Sequence, residues 1–157
     1  MIKKLLFLML FVLISLPMYS SSYNLEMPYS FNSAIERDSP NDWIKEEQIK
    51  VYSDKIVISL ENAEWARFTD TNSMDPVIDS ESNAIEIVPK NYSYLSEGDI
   101  ISYSVEEVNG TVIHRIVETG FDEFGWYALT KGDNLDNVDP FKVRFEDVKR
   151  VVVAVIY

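Results

Sequence analysis

Three short stretches of this chain hold residue types that could do chemistry together. Thr71-Asn72-Ser73-Met74-Asp75-Pro76 puts two hydroxyls in a polar turn closed by proline, where a side-chain oxygen can stand clear of a core. A serine hydroxyl is a weak nucleophile until a neighbouring base takes its proton. Thr111-Val112-Ile113-His114-Arg115-Ile116-Val117-Glu118 holds the only histidine of the chain. On a strand, Val112, His114 and Ile116 share one face, while Ile113, Arg115 and Val117 share the other. An imidazole placed this way is either a half-buried strand residue with a backbone partner or, when neutral, a general base. Thr130-Lys131-Gly132-Asp133-Asn134-Leu135-Asp136-Asn137-Val138-Asp139-Pro140 is the third stretch, a solvated acidic loop on its plainest reading. A calcium loop is the sharper alternative. It fails because Leu135 falls on a ligand position and no glutamate stands at the twelfth.

These residues belong to a chain of 157 with 26 acidic and 14 basic side chains and a formal net charge of −12. Such a surface does not hold a nucleic-acid backbone by charge. The absence of cysteine excludes disulfides, thiolate metal sites and a cysteine nucleophile. A single histidine excludes polyhistidine metal sites. No metal and no cofactor are expected. The length suits one domain with a substantial core.

The elements that must position the three stretches are strands. Lys55–Leu60, Ala84–Val88, Asp99–Val105, Thr111–Thr119, Trp126–Lys131 and Val148–Tyr157 are β-branched or alternating runs bounded by turn residues. Asn109-Gly110 reads as a tight hairpin turn and Gly120–Gly125 as another. The last run is almost wholly apolar and is expected to be buried on both faces. The fold class is mostly β, a compact antiparallel barrel or folded sheet over residues 51–157. Residues 23–50 read as a linker, with a short helix expected from Asp42 to Lys50 and Trp43 docking it. Residues 1–22 combine Lys3 and Lys4 with an apolar run from Leu5 to Tyr19. That run is short of the ~20 residues of a spanning helix, and Ser20-Ser21-Ser22 suits cleavage. The segment is either a removed secretory signal or a short membrane anchor. In both cases the remainder lies on the extracytoplasmic side.

In order and spacing, Ser73-Met74-Asp75-Pro76, His114-Arg115-Ile116 and Lys131-Gly132-Asp133-Asn134 with Asp139 resemble the signal peptidase I family. The type most similar is the archaeal and endoplasmic-reticulum one, where a histidine replaces the bacterial lysine. Glu97-Gly98-Asp99-Ile100-Ile101 is similar to the strand that precedes the base in that family, and the likeness covers about residues 51–157. It implies a mostly-β catalytic core and a membrane-associated serine endopeptidase. The partners it implies are the membrane and signal-peptide-bearing exported precursors. Ser73 is the implied nucleophile and His114 the implied base. Asp139 or Asp133 is the acid that orients the base. Thr71 and the Ser73 N–H form the implied oxyanion hole. Lys131 is the one rival base within these motifs, and Leu135 stands where the family commonly has a second asparagine. The alternative reading is a non-catalytic extracytoplasmic β-domain that retains the fold.

Overall fold

Alternation and β-branching make strands the main regular element, and the computed structural model describes residues 37–157. The expected signal or anchor at 1–22, and the linker up to residue 36, lie outside the described residues. Among the described residues there are nine strands: β1 (Ile49–Val51), β2 (Ile56–Ile58), β3 (Glu64–Arg67), β4 (Asn83–Ile87), β5 (Ile100–Tyr103), β6 (Val112–Asp122), β7 (Gly125–Lys131), β8 (Val143–Arg144) and β9 (Val148–Ile156). β1 and β2 form a small hairpin. The other seven form one antiparallel sheet in the order β3-β4-β9-β5-β6-β7-β8, curled into a half-barrel. Among the described residues there is no α-helix, and so no helix long and apolar enough to cross a membrane.

The apolar C-terminal run becomes β9, a central strand paired with β4 on one side and β5 on the other. Its neighbouring residues Val151 and Val152 point into two different cores. Ile101, Tyr103, Ile116, Trp126, Ala128 and Val143 pack with Val151 on one face of the sheet. Met74, Ile78, Ala84 and Ile100 pack with Val152 on the other. β9 is therefore buried on both faces at Val151 and Val152 only, while the rest of the run is half-buried or exposed, with Ile156 and Tyr157 open at its end.

Three local expectations are corrected. The helix from Asp42 to Lys50 is only a 3-10 turn at Glu46–Gln48. Ile49–Val51 pairs with β2 instead, and Gln48 Nε2 donates to the Ser59 carbonyl, so strand pairing overrides the local helix signal. Asn109-Gly110 is not a two-residue turn, because Tyr103 pairs with Val112 and residues 104–111 form the loop. A type I′ turn needs two residues at positive φ, and only Gly110 adopts one there. The second hairpin turns at Glu123-Phe124, between the paired Asp122 and Gly125, with Gly120 inside the strand. β1, β3 and β8 are short strands that the pattern alone did not single out.

Trp43 does dock on the domain. Its Nε1 donates to Asp99 Oδ1 at 2.9 Å, and Asn41 N donates to the same oxygen at 2.9 Å. Asn41 Nδ2 and Ser96 N donate to Oδ2 at 3.1 and 3.0 Å. Asp99, wholly buried, thus collects the segment before β1 onto the start of β5. Gly98 has φ +97°, and a Cβ there would stand 2.3 Å from the Ser39 carbonyl oxygen. Glycine allows both that backbone conformation and the close approach.

Candidate active site

Ser73 is carried on the loop between β3 and β4. Met74 and Ile78, both 3% exposed, anchor this loop in the second core. Burying two such side chains contributes about 2 kcal/mol each toward offsetting the loop's ordering entropy. The Val77 and Ile78 amides both donate to the Met74 carbonyl at 3.0 Å. Asn72, just before the nucleophile candidate, has φ +56°, a left-handed conformation that asparagine tolerates better than most residues. Across the loop, Thr71 Oγ1 lies 3.1 Å from Ser73 Oγ.

His114 stands on β6 with the alternation expected for it: its own face meets the core of Ile101, Tyr103 and Ile116, and Ile113 on the opposite face packs with Met74 and Ile78. The imidazole is 8% exposed. Its Nδ1 lies 2.7 Å from Asp139 Oδ2. That oxygen also receives Tyr103 OH at 2.9 Å and Thr130 Oγ1 at 2.7 Å. Asp139 N donates to the Thr130 carbonyl at 2.8 Å, so the aspartate is fixed by backbone as well as side chain. A carboxylate facing Nδ1 selects the Nδ1–H tautomer and leaves Nε2 with the lone pair that a general base uses. Burial pushes the Tyr103 hydroxyl well above the usual tyrosine range, and Asp139 reinforces the shift. Tyr103 is therefore a fixed donor in this network.

The third stretch closes over the first. Asn134 N donates to the Ser73 carbonyl at 3.0 Å, and Asn134 Nδ2 donates to the Asn72 carbonyl at 3.0 Å. Gly132 lies at the contact: a Cβ on it would be 2.5 Å from the Ser73 carbonyl oxygen and 3.0 Å from His114 Nε2. One side chain's width thus separates the Ser73 backbone from the free imidazole nitrogen. Among the described residues no hydrogen bond joins Ser73 Oγ to His114, and Ser73 Oγ pairs with Thr71 instead.

Of the two acids expected to orient the base, Asp139 reaches His114. Asp133 takes the Arg115 guanidinium at 2.7 Å from Nε and 2.6 Å from Nη2, while Arg115 Nη1 donates to the Gly98 carbonyl at 2.6 Å. This bidentate pair ties the acidic loop to β6 and to the turn before β5. Lys131 Nζ donates to the Leu135 carbonyl at 2.6 Å and bends the loop on itself. Asp136 is exposed.

Ser73, Thr71 and His114 line a common cleft of about 420 Å³. Phe68, Met74, Ile78 and Ile113 supply apolar wall, and Arg67, Glu86 and Ser102 supply polar wall. Tyr103 and Glu86 are site residues that sequence reasoning passed over, and Thr130 and Gly132 lie in the third stretch but were given no role of their own. Alternation with Ala128 marks Thr130 as inward-facing, but nothing local says that it meets Asp139. No protein-family model, curated protein or solved structure significantly matches the chain.

Proposed function

We propose that this protein is a serine endopeptidase of signal-peptidase type, associated with a membrane and acting without a cofactor on extended segments of exported precursor proteins. The observation that carries the reading is the largely buried His114–Asp139 pair, with His114 lining the same cleft as Ser73 and Thr71. In this reading Ser73 Oγ turns from Thr71 toward His114 and attacks the scissile carbonyl carbon as its proton passes to Nε2. The tetrahedral oxyanion is met by the Thr71 hydroxyl and the Ser73 N–H. The imidazolium, stabilised by Asp139, gives the proton to the leaving amine. Water then repeats the cycle on the acyl-enzyme. Catalytic hydrogen bonds are often unmade in a free enzyme and tighten when substrate binds.

The sheet supports an extended substrate. Val112, Ile113 and His114 pair with β5 on one side. β7 joins β6 only from Arg115 onward, which leaves the other edge of residues 112–114 without a strand among the described residues. A peptide added there gains backbone hydrogen bonds beside the base, and the pockets along the cleft select its side chains.

The missing Ser73–His114 bond favours the second reading, a β-domain that keeps the fold without the activity. Incubating the purified chain with precursor proteins separates the two. Ser73→Ala and His114→Ala are each expected to lower processing by a factor of roughly a thousand or more, because members of such a unit fail together. The melting temperature of the serine variant should stay unchanged. Processing that survives either substitution overturns the proposal, and no processing by the unaltered chain favours the second reading.

A further inference from the structure

Glu86 lines the same cleft, and the catalytic reading gives it no task. It lies on β4, where register puts Glu64 of β3 on one side and Val152 of β9 on the other. The residue is 6% exposed, and its Oε1 is buried without a hydrogen-bond partner among the described residues. A buried polar oxygen left unpaired is a standing cost, and native structures rarely keep one without a reason. Among the described residues no cation forms an ion pair with Glu86. Arg150, paired in register with Ser102, commits its guanidinium to Glu64. The same cleft is walled by Phe68, Met74, Ile78 and Ile113. The result is a cleft of mixed wall in which one carboxyl oxygen is unmet.

We propose that Glu86 is a specificity-determining residue of the cleft, whose carboxyl group turns to hydrogen-bond the hydroxyl of a serine or threonine side chain in the bound peptide. The assignment rests on the peptidase reading and names its substrate class. A lysine or arginine side chain fits less well, because Arg67 lines the cleft and Arg150 lies beside Glu86. An alanine leaves Oε1 unpaired, as in the free protein. A site built to meet a hydroxyl discriminates against the analogue lacking it far more strongly than an apolar pocket discriminates by size.

The test uses the full chain and a soluble alanine-based decapeptide that carries Thr, Val, Ser or Lys at one position at a time. Affinity is measured with Ser73→Ala protein, which leaves the peptide intact, and cleavage with unaltered protein. At one position Thr should bind at least about tenfold more tightly than its isostere Val, and Ser more tightly than Ala. Adding Glu86→Leu should bring both ratios to one, whereas Glu86→Gln, which still hydrogen-bonds, should keep most of the preference. Should the leucine variant fail to fold, the Thr-to-Val ratio and the glutamine variant still decide. Equal affinities, a preference for Lys, a ratio that persists in Glu86→Leu, or no binding of any peptide overturns the assignment. A Thr preference without cleavage overturns only the peptidase reading, and cleavage without preference overturns only the role of Glu86.

Discussion

A single carboxylate oxygen, Asp139 Oδ2, has three donors around it: the His114 imidazole, the Tyr103 hydroxyl and the Thr130 hydroxyl. Tyr103 OH and Thr130 Oγ1 also lie 3.0 Å apart. Two hydroxyl protons serve three short oxygen contacts, so the network fixes the aspartate tightly. Asparagine at position 139 would present an amide to Nδ1 and favour the wrong tautomer. Asp139→Asn is therefore expected to cost turnover roughly a hundredfold to ten-thousandfold with a small change in melting temperature. Asp133→Asn strips a partly buried guanidinium of its bidentate partner, and should cost about 2 kcal/mol of stability, below the ~3–5 kcal/mol of a fully buried pair. Asp136→Asn should change neither. Turnover and thermal melts of the three variants check the order. Greatest sensitivity at Asp136 would refute the triad.

At the scale of elements, the site exists because the loop after β7 lies on the loop after β3. Gly132 is where they touch, and any side chain there meets the Ser73 carbonyl and the His114 ring. The carbonyl is backbone in a loop pinned by Met74 and Ile78, so it cannot yield as a flexible side-chain tip could. Gly132→Ala is expected to displace the Asn134 contacts and to cost about 1–3 kcal/mol, in the range of overpacked positions. Activity should fall further than stability, since a shift of about 1 Å near a reacting centre costs about a hundredfold. Turnover measured well below the variant's melting temperature separates the two effects. Unchanged activity would mean that the loop contact plays no part in positioning Ser73.

At the scale of the molecule, two buried carboxyls set how the half-barrel holds together. Asp99 accepts from four donors, three of them on residues 41–43, and so joins that segment to the body. Asp99→Ala leaves those donors unpaired and should cost roughly 2–4 kcal/mol. It should also release the segment before β1, read out as faster proteolysis at Arg37 and Lys45. Glu86 acts in the opposite sense. Burial raises its pKa above the ordinary 4.5, Ser102 and Arg150 pull it back, and Glu64 raises it further. The folded chain therefore keeps this proton to a higher pH than the unfolded chain does. The stability so gained is full below about pH 4.5 and is lost as pH rises through the folded value. The melting temperature of the unaltered chain relative to Glu86→Gln should accordingly fall from pH 4 toward neutrality. A difference that is flat or rises with pH would contradict the burial argument.

The strands at 84–88, 100–103, 112–119, 126–131 and 148–156 were legible from alternation and β-branching, because those patterns express burial on one or both sheet faces. Ser73, His114 and Asp139 were legible as candidates because their residue types and order suit one chemistry. Which acid meets the imidazole was not. Asp133 and Asp139 sit in the same loop, and only the placement of Arg115 on the far face of β6 draws Asp133 away. The helix expected at 42–50 gave way to pairing with residues 56–58, a contact that local propensity does not contain. Tyr103, Thr130 and Glu86 carry no motif. Their roles come from strand register, which brings residues far apart in sequence onto one carboxylate or into one cleft wall. Sequence by itself determined the residue types, the strand periods and the order of the motifs, since these depend on neighbours in the chain. Only the curl of the sheet decided which side chains meet, since a hydrogen bond depends on distance in space.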